Sequence, residues 1–297
     1  MSSISASKTK GAYFLLWALI LLWGANWPIM KFGLTFIPPL WFAAARLLMG
    51  AITLFLILLI IGRLRLPPRR DLPVLFSVAL FQMASFMALV NIAMLHVQAG
   101  RSAILSYATP LWVTPGAVFI LGERLTWRKL TGLILCIGGV AVLFNPLGFD
   151  WHDAGVVKGN ALLIIVSFLW AGVILHVRAH RWESSPLELA PWQMLLALSV
   201  VAAFAWKLED IGRIQWSAQL IAVLAYNGPI ATAFCFWAAI TVTRLLPAIT
   251  TSLGFIGVPV AGLLFSVVTL GESLTGTLVL GLILIIGGML FVNVPEP

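Results

Sequence analysis

A handful of amides, hydroxyls and indoles stand inside long apolar stretches: Asn26, Gln82, Ser85, Tyr107, Tyr226, Asn227 and Ser252, with Trp23 and Trp170. Polar groups within hydrocarbon are expensive, so each is a candidate for function. Such groups can orient an ammonium and a carboxylate by hydrogen bonds without a full buried charge. The competing reading is interhelical bonding, worth about 0.6 kcal/mol on average. It suffices for the hydroxyls, Ser85 and Ser252 included. Gln82, Tyr107, Tyr226 and Asn227 stand evenly between the two. Trp23 and Trp170 either line a site or pack at an interface. An aromatic wall would suit a neutral or aromatic small molecule.

Other chemistry is poorly served. No Asp or Glu falls in the middle of an apolar stretch, so coupling through a buried carboxylate is not expected, and a gradient-driven facilitator fits better. An intramembrane enzyme would need a buried nucleophile and base or a metal constellation, and the histidines and serines are not so spaced. Catalytic residues, metal and cofactor are therefore all expected to be absent. A channel lacks its rings of charge or filter-like stretch. His96 and His176 lie near the ends of apolar runs and read as interfacial or packing residues. Arg46 is a lone cation seven residues or so inside its run. The structural reading is favoured for it: it snorkels outward or bonds backbone carbonyls, the alternative being attraction of a substrate carboxylate. Phosphorylated substrates would want a cluster of cations.

The elements that must carry these residues follow from composition. The chain has 297 residues, 61% hydrophobic and 9% charged, against about 25% charged in soluble domains. Runs of about 20 apolar residues read as spanning helices. Ten are predicted, at 12–36, 40–61, 72–95, 99–121, 127–145, 156–178, 187–206, 217–242, 246–270 and 276–294. Continuous rather than alternating runs favour helices over a barrel. With the N-terminus inside, twelve Lys and Arg fall in inner segments and five in outer ones. That bias predicts both termini in the cytoplasm of a multi-pass inner-membrane protein. The net charge of +8 is read the same way, and nucleic acid is not an expected partner. Six of the thirteen tryptophans, Trp41, Trp127, Trp151, Trp182, Trp206 and Trp216, lie near run ends as an interfacial belt.

The chain also repeats itself. LGERLT at 121–126 returns as LGESLT at 270–275, and between Leu121 and Gly139 twelve of nineteen positions are identical at an offset of 149. Pro110 and Pro259 coincide at that offset, and Trp23 and Trp170, or Arg46 and Gln193, at an offset of 147. Two halves, 1–148 and 149–297, are read as copies. Five spans per half is odd, so the second must enter the membrane inverted, the arrangement of secondary transporters with a midplane site between the halves. Pro110 and Pro259 are candidate hinges for alternating access, or static kinks that shape the site. LGERLT and LGESLT read as turns, with Thr126 and Thr275 capping the following helix and the glutamate near that helix's positive N-terminus.

These residues carry a resemblance. LLWGANWP in the first run, PLWFAAARLLMG in the second and the doubled P…LGE(R/S)LT…G…GG resemble the drug/metabolite transporter superfamily, specifically EamA-type exporters of the YddG-like, amino-acid-exporting kind. The resemblance spans essentially the whole chain and is weak for substrate. It implies a basket-like fold of two inverted five-helix repeats and a cavity lined mainly by helices 1, 3, 4, 6, 8 and 9. The implied function is export of neutral or aromatic amino acids and similar metabolites, with other drugs or metabolites as the alternative. Expected partners are an amino-acid-like solute and the lipid bilayer, and a monomer is compatible with this.

Overall fold

The computed structural model describes residues 2–97, 99–144, 152–270 and 276–293. It is helical throughout, with no strand among the described residues. In chain order the helices are α1 (Ser2–Gly33), α2 (Pro39–Ile60), α3 (Arg69–Ala93), α4 in two pieces (Ala99–Ser106 and Pro110–Leu121), α5 (Trp127–Phe144), α6 (Ala154–Ala179), α7 (Pro186–Leu208), α8 (Ala218–Leu245), α9 in two pieces (Ala248–Phe255 and Gly257–Leu270) and α10 (Gly276–Asn293). Eight helices among the described residues are long and apolar enough to cross a membrane. The chain is thus a multi-pass membrane protein. The other two expected spans, at 127–145 and 276–294, are α5 and α10, of 18 residues each. Large apolar side chains remain exposed along the helices, Phe14, Ile60, Phe119 and Phe168 among them, as lipid solvation permits and water does not.

Helices α5 and α10 pack on each other through glycines of the repeated motif. A Cβ on Gly139 would sit 2.8 Å from the Gly281 carbonyl oxygen, and one on Gly288 2.7 Å from that of Gly132. Between them the Cys136 thiol lies 3.7 Å from the Ile285 carbonyl oxygen. Contact positions rise along one helix as they fall along the other, so the copies run antiparallel. Cys136 and Ile285 occupy equivalent positions at the offset of 149, so the crossing point relates the two helices symmetrically. Small residues let the backbones approach where packing rather than the hydrophobic effect holds helices together. Trp23 and Trp170, equivalents on α1 and α6, likewise touch edge to face, ring centres 5.9 Å apart.

Helix ends are satisfied by carboxylates, several of them from the other half of the chain. Glu209, at the end of α7, accepts from the Leu40 and Trp41 amides at 2.9 and 3.0 Å, capping α2. Asp71 accepts from the amides of Glu183 (3.2 Å) and Ser184 (2.7 Å) and pairs with His180 at 2.9 Å. Glu123 of LGERLT accepts from the Ala248 and Ile249 amides at 2.6 and 3.3 Å. This corrects the expectation for that motif: the glutamate caps α9, not the helix that follows it. Thr126 stands at the start of α5, its hydroxyl 3.5 Å from the Lys129 amide. Gly122 turns the chain out of α4 in the left-handed conformation, φ 65°. The second motif, with Thr275, lies outside the described residues, as do Trp151 and the 145–146 turn. Ser185 closes α7 with a capping box to Glu188, and Asp153 and Ser217 cap α6 and α8.

Gly288→Leu is expected to force α5 and α10 apart and lower stability by about 1–3 kcal/mol, as overpacking does. Glu123→Ala should cost about 1 kcal/mol through the lost cap. Thermal unfolding of the purified protein in detergent, read by tryptophan fluorescence, measures both; an unchanged Tm for Gly288→Leu would contradict the close crossing.

Candidate functional site

Four local irregularities, paired by the repeat, surround the centre of the bundle. The first pieces of α4 and α9 end at Ser106 and Phe255, each four residues before a proline, Pro110 or Pro259. A proline has no N–H for the carbonyl four residues back, so the ladder opens there. The interruptions therefore lie upstream of the prolines rather than at them. Pro110 opens the second piece of α4, whereas Pro259 lies inside the second piece of α9. In α3 and α8 the bonding slips to π-helix over Val78–Ala84 and Asn227–Phe234, equivalents at the offset of 149. Pro229 explains the slip in α8; nothing in residues 78–84 forces the one in α3. Such segments loosen backbone carbonyls and are frequent at functional sites. One of them, Ala231 C=O, accepts the Trp23 indole N–H at 2.8 Å.

Among these irregularities lies a small cavity bordered by α1, α2, α3, α4, α6 and α8. Its lining is buried except for the half-buried Phe86. The aromatic wall is a chain of contacts. Tyr107 stands 4.9 Å from Trp170, Phe86 5.1 Å from Trp170 and Phe236 5.3 Å from Trp23, all edge to face. Phe86 and Phe236 are equivalents at an offset of 150, the π segment of α8 being one residue longer (8 against 7). Phe255 stacks on Trp170 from behind at 5.3 Å. Into this apolar shell come polar groups with buried atoms that have no protein partner: Asn26 Oδ1, Gln82 Oε1, Asn91 Oδ1, Trp170 Nε1 and Arg46 Nε. Leaving a buried donor or acceptor unmade costs about 1–3 kcal/mol. Asn91 is oriented by its amide donating to Pro39 C=O at 3.0 Å. Among the described residues no carboxylate lines the cavity.

Of the candidates read from sequence, the fold brings Trp23, Asn26, Gln82, Tyr107 and Trp170 to this cavity and places the others elsewhere. Ser85 donates to Leu80 C=O at 2.7 Å and borders an apolar crevice between α3 and α7. Tyr226 donates to Leu22 C=O at 2.8 Å and borders a second crevice between α1 and α8. Asn227 bonds back to Val223 C=O, and Ser252 to Ile249 C=O, both at 3.0 Å. Trp27, Met30, Phe86, Met87, Val90 and Phe236 line the cavity without having been singled out. As apolar residues in apolar runs they carry no signal, although Phe236 lies one residue from the partner that the repeat gives Ser85, Cys235 at an offset of 150. Arg46 is buried and so does not snorkel outward; its Nη1 lies 2.8 Å from Met30 Sδ and its guanidinium stands over the Phe42 ring. His176 bonds Ser77 Oγ at 2.8 Å, a packing role as expected.

The polar groups are unevenly shared. Asn26, Arg46, Gln82, Asn91 and Tyr107 all belong to the first half; the repeat replaces them with Val173, Gln193, Ala231, Thr241 and Ile256. The second half contributes Trp170 and Phe236.

A helical membrane protein with duplicated halves and a small internal cavity lined by residues of both fits the class of small-solute transporters. The sequence pattern of the EamA-like transporter family matches residues 10–145 and again 157–294. The chain belongs to that family, and is a transporter rather than an enzyme. It is similar to the "Uncharacterized transporter YoaV" of Bacillus subtilis, 26% identical over 276 residues, covering 93% of this chain and 94% of the relative. It is 28% identical over 295 residues to a "Probable amino-acid metabolite efflux pump" of Salmonella typhimurium, covering 95% and 94%. A protein of the same description in Escherichia coli is 27% identical over 304 residues, covering 97% and 95%. A solved crystal structure shares the fold with a TM-score of 0.74 at 21% identity, covering 95% of this chain and 97% of its own.

Gln82→Ala is expected to reduce solute flux severalfold at unchanged amounts of folded protein, because its oxygen has no other partner. Ser85→Ala, whose hydroxyl is satisfied within its own helix, should stay within about twofold of wild type, the loss of one local bond being small. Flux into proteoliposomes, normalised to monodisperse protein, compares the two; equal effects would contradict the placement.

Proposed function

We propose that this transporter exports amino acids and similar small metabolites, neutral and aromatic ones favoured, through the cavity between its two repeats. The observation that carries the reading is the combination inside that cavity of an aromatic wall with unpartnered donors and acceptors. The amide oxygens of Asn26, Gln82 and Asn91 suit an ammonium, the Trp170 N–H suits a carboxylate oxygen, and the rings suit an apolar or aromatic side chain. The names of the Salmonella and Escherichia relatives support the substrate class and the outward direction.

Transport is read as alternating access by ten spans in two inverted halves, 1–148 and 149–297, with both termini in the cytoplasm and the chain in the inner membrane. The paired breaks in α4 and α9, with Pro110 and Pro259 as hinges, and the paired π segments in α3 and α8 support it: equivalent weak points let the halves exchange conformations. Contacts join the ends at Asp71, Glu123, Ser184 and Ala248 on one side of the bundle. Those at Phe36, Leu40, Glu209 and Gln215 meet on the other. These are the groupings the proposed topology requires. Movement is facilitative, driven by the solute gradient, since the described carboxylates serve helix ends and loops. No cofactor, metal or nucleic acid enters the reading, and a single chain contains the whole cavity.

Counterflow in proteoliposomes tests it. Internal neutral or aromatic amino acids should stimulate uptake of a labelled one saturably, while nucleosides, sugars and cationic drugs should not. An imposed pH gradient should leave the rate unchanged. Failure of every amino acid to stimulate would remove the substrate class, and conductance without saturation would replace the carrier with a channel.

A further inference from the structure

We infer that Arg46 is the cavity's anchor for an anionic group, so that a carboxylate on the solute is a requirement for binding rather than a tolerated feature. The inference rests on the reading that the cavity is the solute site, and deepens it by assigning the residue that sets the chemical class.

Arg46 is the eighth residue of α2, about 10 Å along the helix from its start at 1.5 Å per residue, and only 3% exposed. Its known contacts are soft and neutral. Nη1 lies 2.8 Å from Met30 Sδ, and the guanidinium carbon lies 5.6 Å from the centre of the Phe42 ring. Its Nε has no partner. A guanidinium carries five N–H donors and does not deprotonate in proteins, so burial cannot be relieved by losing the charge. A buried charge without a counter-ion is strongly unfavourable. The described carboxylates that could neutralise it are committed elsewhere: Asp71, Glu123, Asp153, Glu188, Glu209 and Asp210 to backbone amides, and Glu183 to Arg70. What remains beside Arg46 is the cavity it lines.

The repeat supplies a control within the same chain. Gln193 occupies the equivalent place on α7, is 1% exposed and does not line the cavity. The helix pair therefore folds with a neutral amide at that position, and the positive charge is peculiar to the half that faces the solute. A single planar guanidinium matches one carboxylate in a two-pronged pair. No second Lys or Arg lines the cavity among the described residues, which disfavours a phosphate dianion, and the charge itself repels cationic amphiphiles. An ammonium on the same solute has the Asn26, Gln82 and Asn91 oxygens and the aromatic faces to receive it.

The test is ligand binding to the purified protein in nanodiscs, read by isothermal titration calorimetry, for a matched set: phenylalanine, phenylalanine amide, phenethylamine and 3-phenylpropionate. Wild type should bind phenylalanine at least tenfold more tightly than the amide or phenethylamine. Arg46→Gln should bring phenylalanine down to the level of phenethylamine and leave phenethylamine unchanged or improved; Arg46→Lys should keep part of the discrimination. Gel filtration and Tm establish that the variants are folded; if Arg46→Gln is not, Arg46→Lys and the wild-type ranking decide. Phenylalanine binding to Arg46→Gln with wild-type affinity and ranking would overturn the inference while leaving the amino-acid reading intact. If 3-phenylpropionate binds in an Arg46-dependent way and no amino acid does, the anchor stands and the amino-acid reading falls. If no carboxylate in the set binds, the anchor falls.

Discussion

Every backbone N–H and C=O of a chain in hydrocarbon must find a partner inside the protein, and most of this structure follows from that requirement. Continuous helices meet it along their length and fail it at their ends. The ends are completed by carboxylates, and three of these reach across from one half of the chain to the other: Glu123 to α9, Glu209 to α2 and Asp71 to the entry of α7. Acidic residues are thereby consumed at the rims of the bundle. Irregular backbone is confined to the interior, where α4 and α9 break and α3 and α8 slip into π-helix, and where indoles or a cavity lie alongside. The Trp23 bond to Ala231 C=O shows how a loosened carbonyl is used.

Duplication supplies the scaffold and divergence supplies the chemistry. Equivalent positions meet at the centre, Trp23 with Trp170 and Cys136 with Ile285, and the glycines repeated in α5 and α10 permit the second of these contacts. The parts that shape backbone, Pro110 with Pro259, the glycines of α5 and α10 and the two π segments, are paired between halves. The parts that address a solute are not. Five cavity-lining polar residues of the first half face Val173, Gln193, Ala231, Thr241 and Ile256 as their counterparts. Even the two central tryptophans differ, since the Trp23 N–H is bonded and that of Trp170 is not.

The expectations of a helical membrane chain and of a repeated sequence pattern held because apolar length and a constant offset are properties of the chain read in one dimension. Helix ends at Ile60, Leu121 and Leu208 fall within two residues of the predicted ones, since Gly, Pro and charge mark them locally. The site was legible in part. Gln82, Asn26 and Tyr107 announce themselves as polar groups in apolar surroundings. Met87, Phe86 and Phe236 do not, because an apolar residue on a cavity is indistinguishable by type from one on a lipid face. Ser85, Asn227 and Ser252 show the converse, a polar signal answered by a carbonyl of the same helix. The prolines marked the helices that break, and the breaks begin four positions upstream of them, where the missing N–H acts.

By itself the sequence determined that this is a helical, duplicated membrane protein with no acid in the middle of its apolar runs, because hydrophobic length, repeat spacing and the position of charge depend only on order along the chain. Which face each helix turns inward was decided by tertiary packing alone. On that depend the partner of Glu123, the separation of Gln82 from Ser85 three residues away, and the difference between an Arg46 that escapes to the interface and one held against a cavity. Facing is set by close contacts between helices remote in sequence, and those contacts exist only once the two halves have closed on each other.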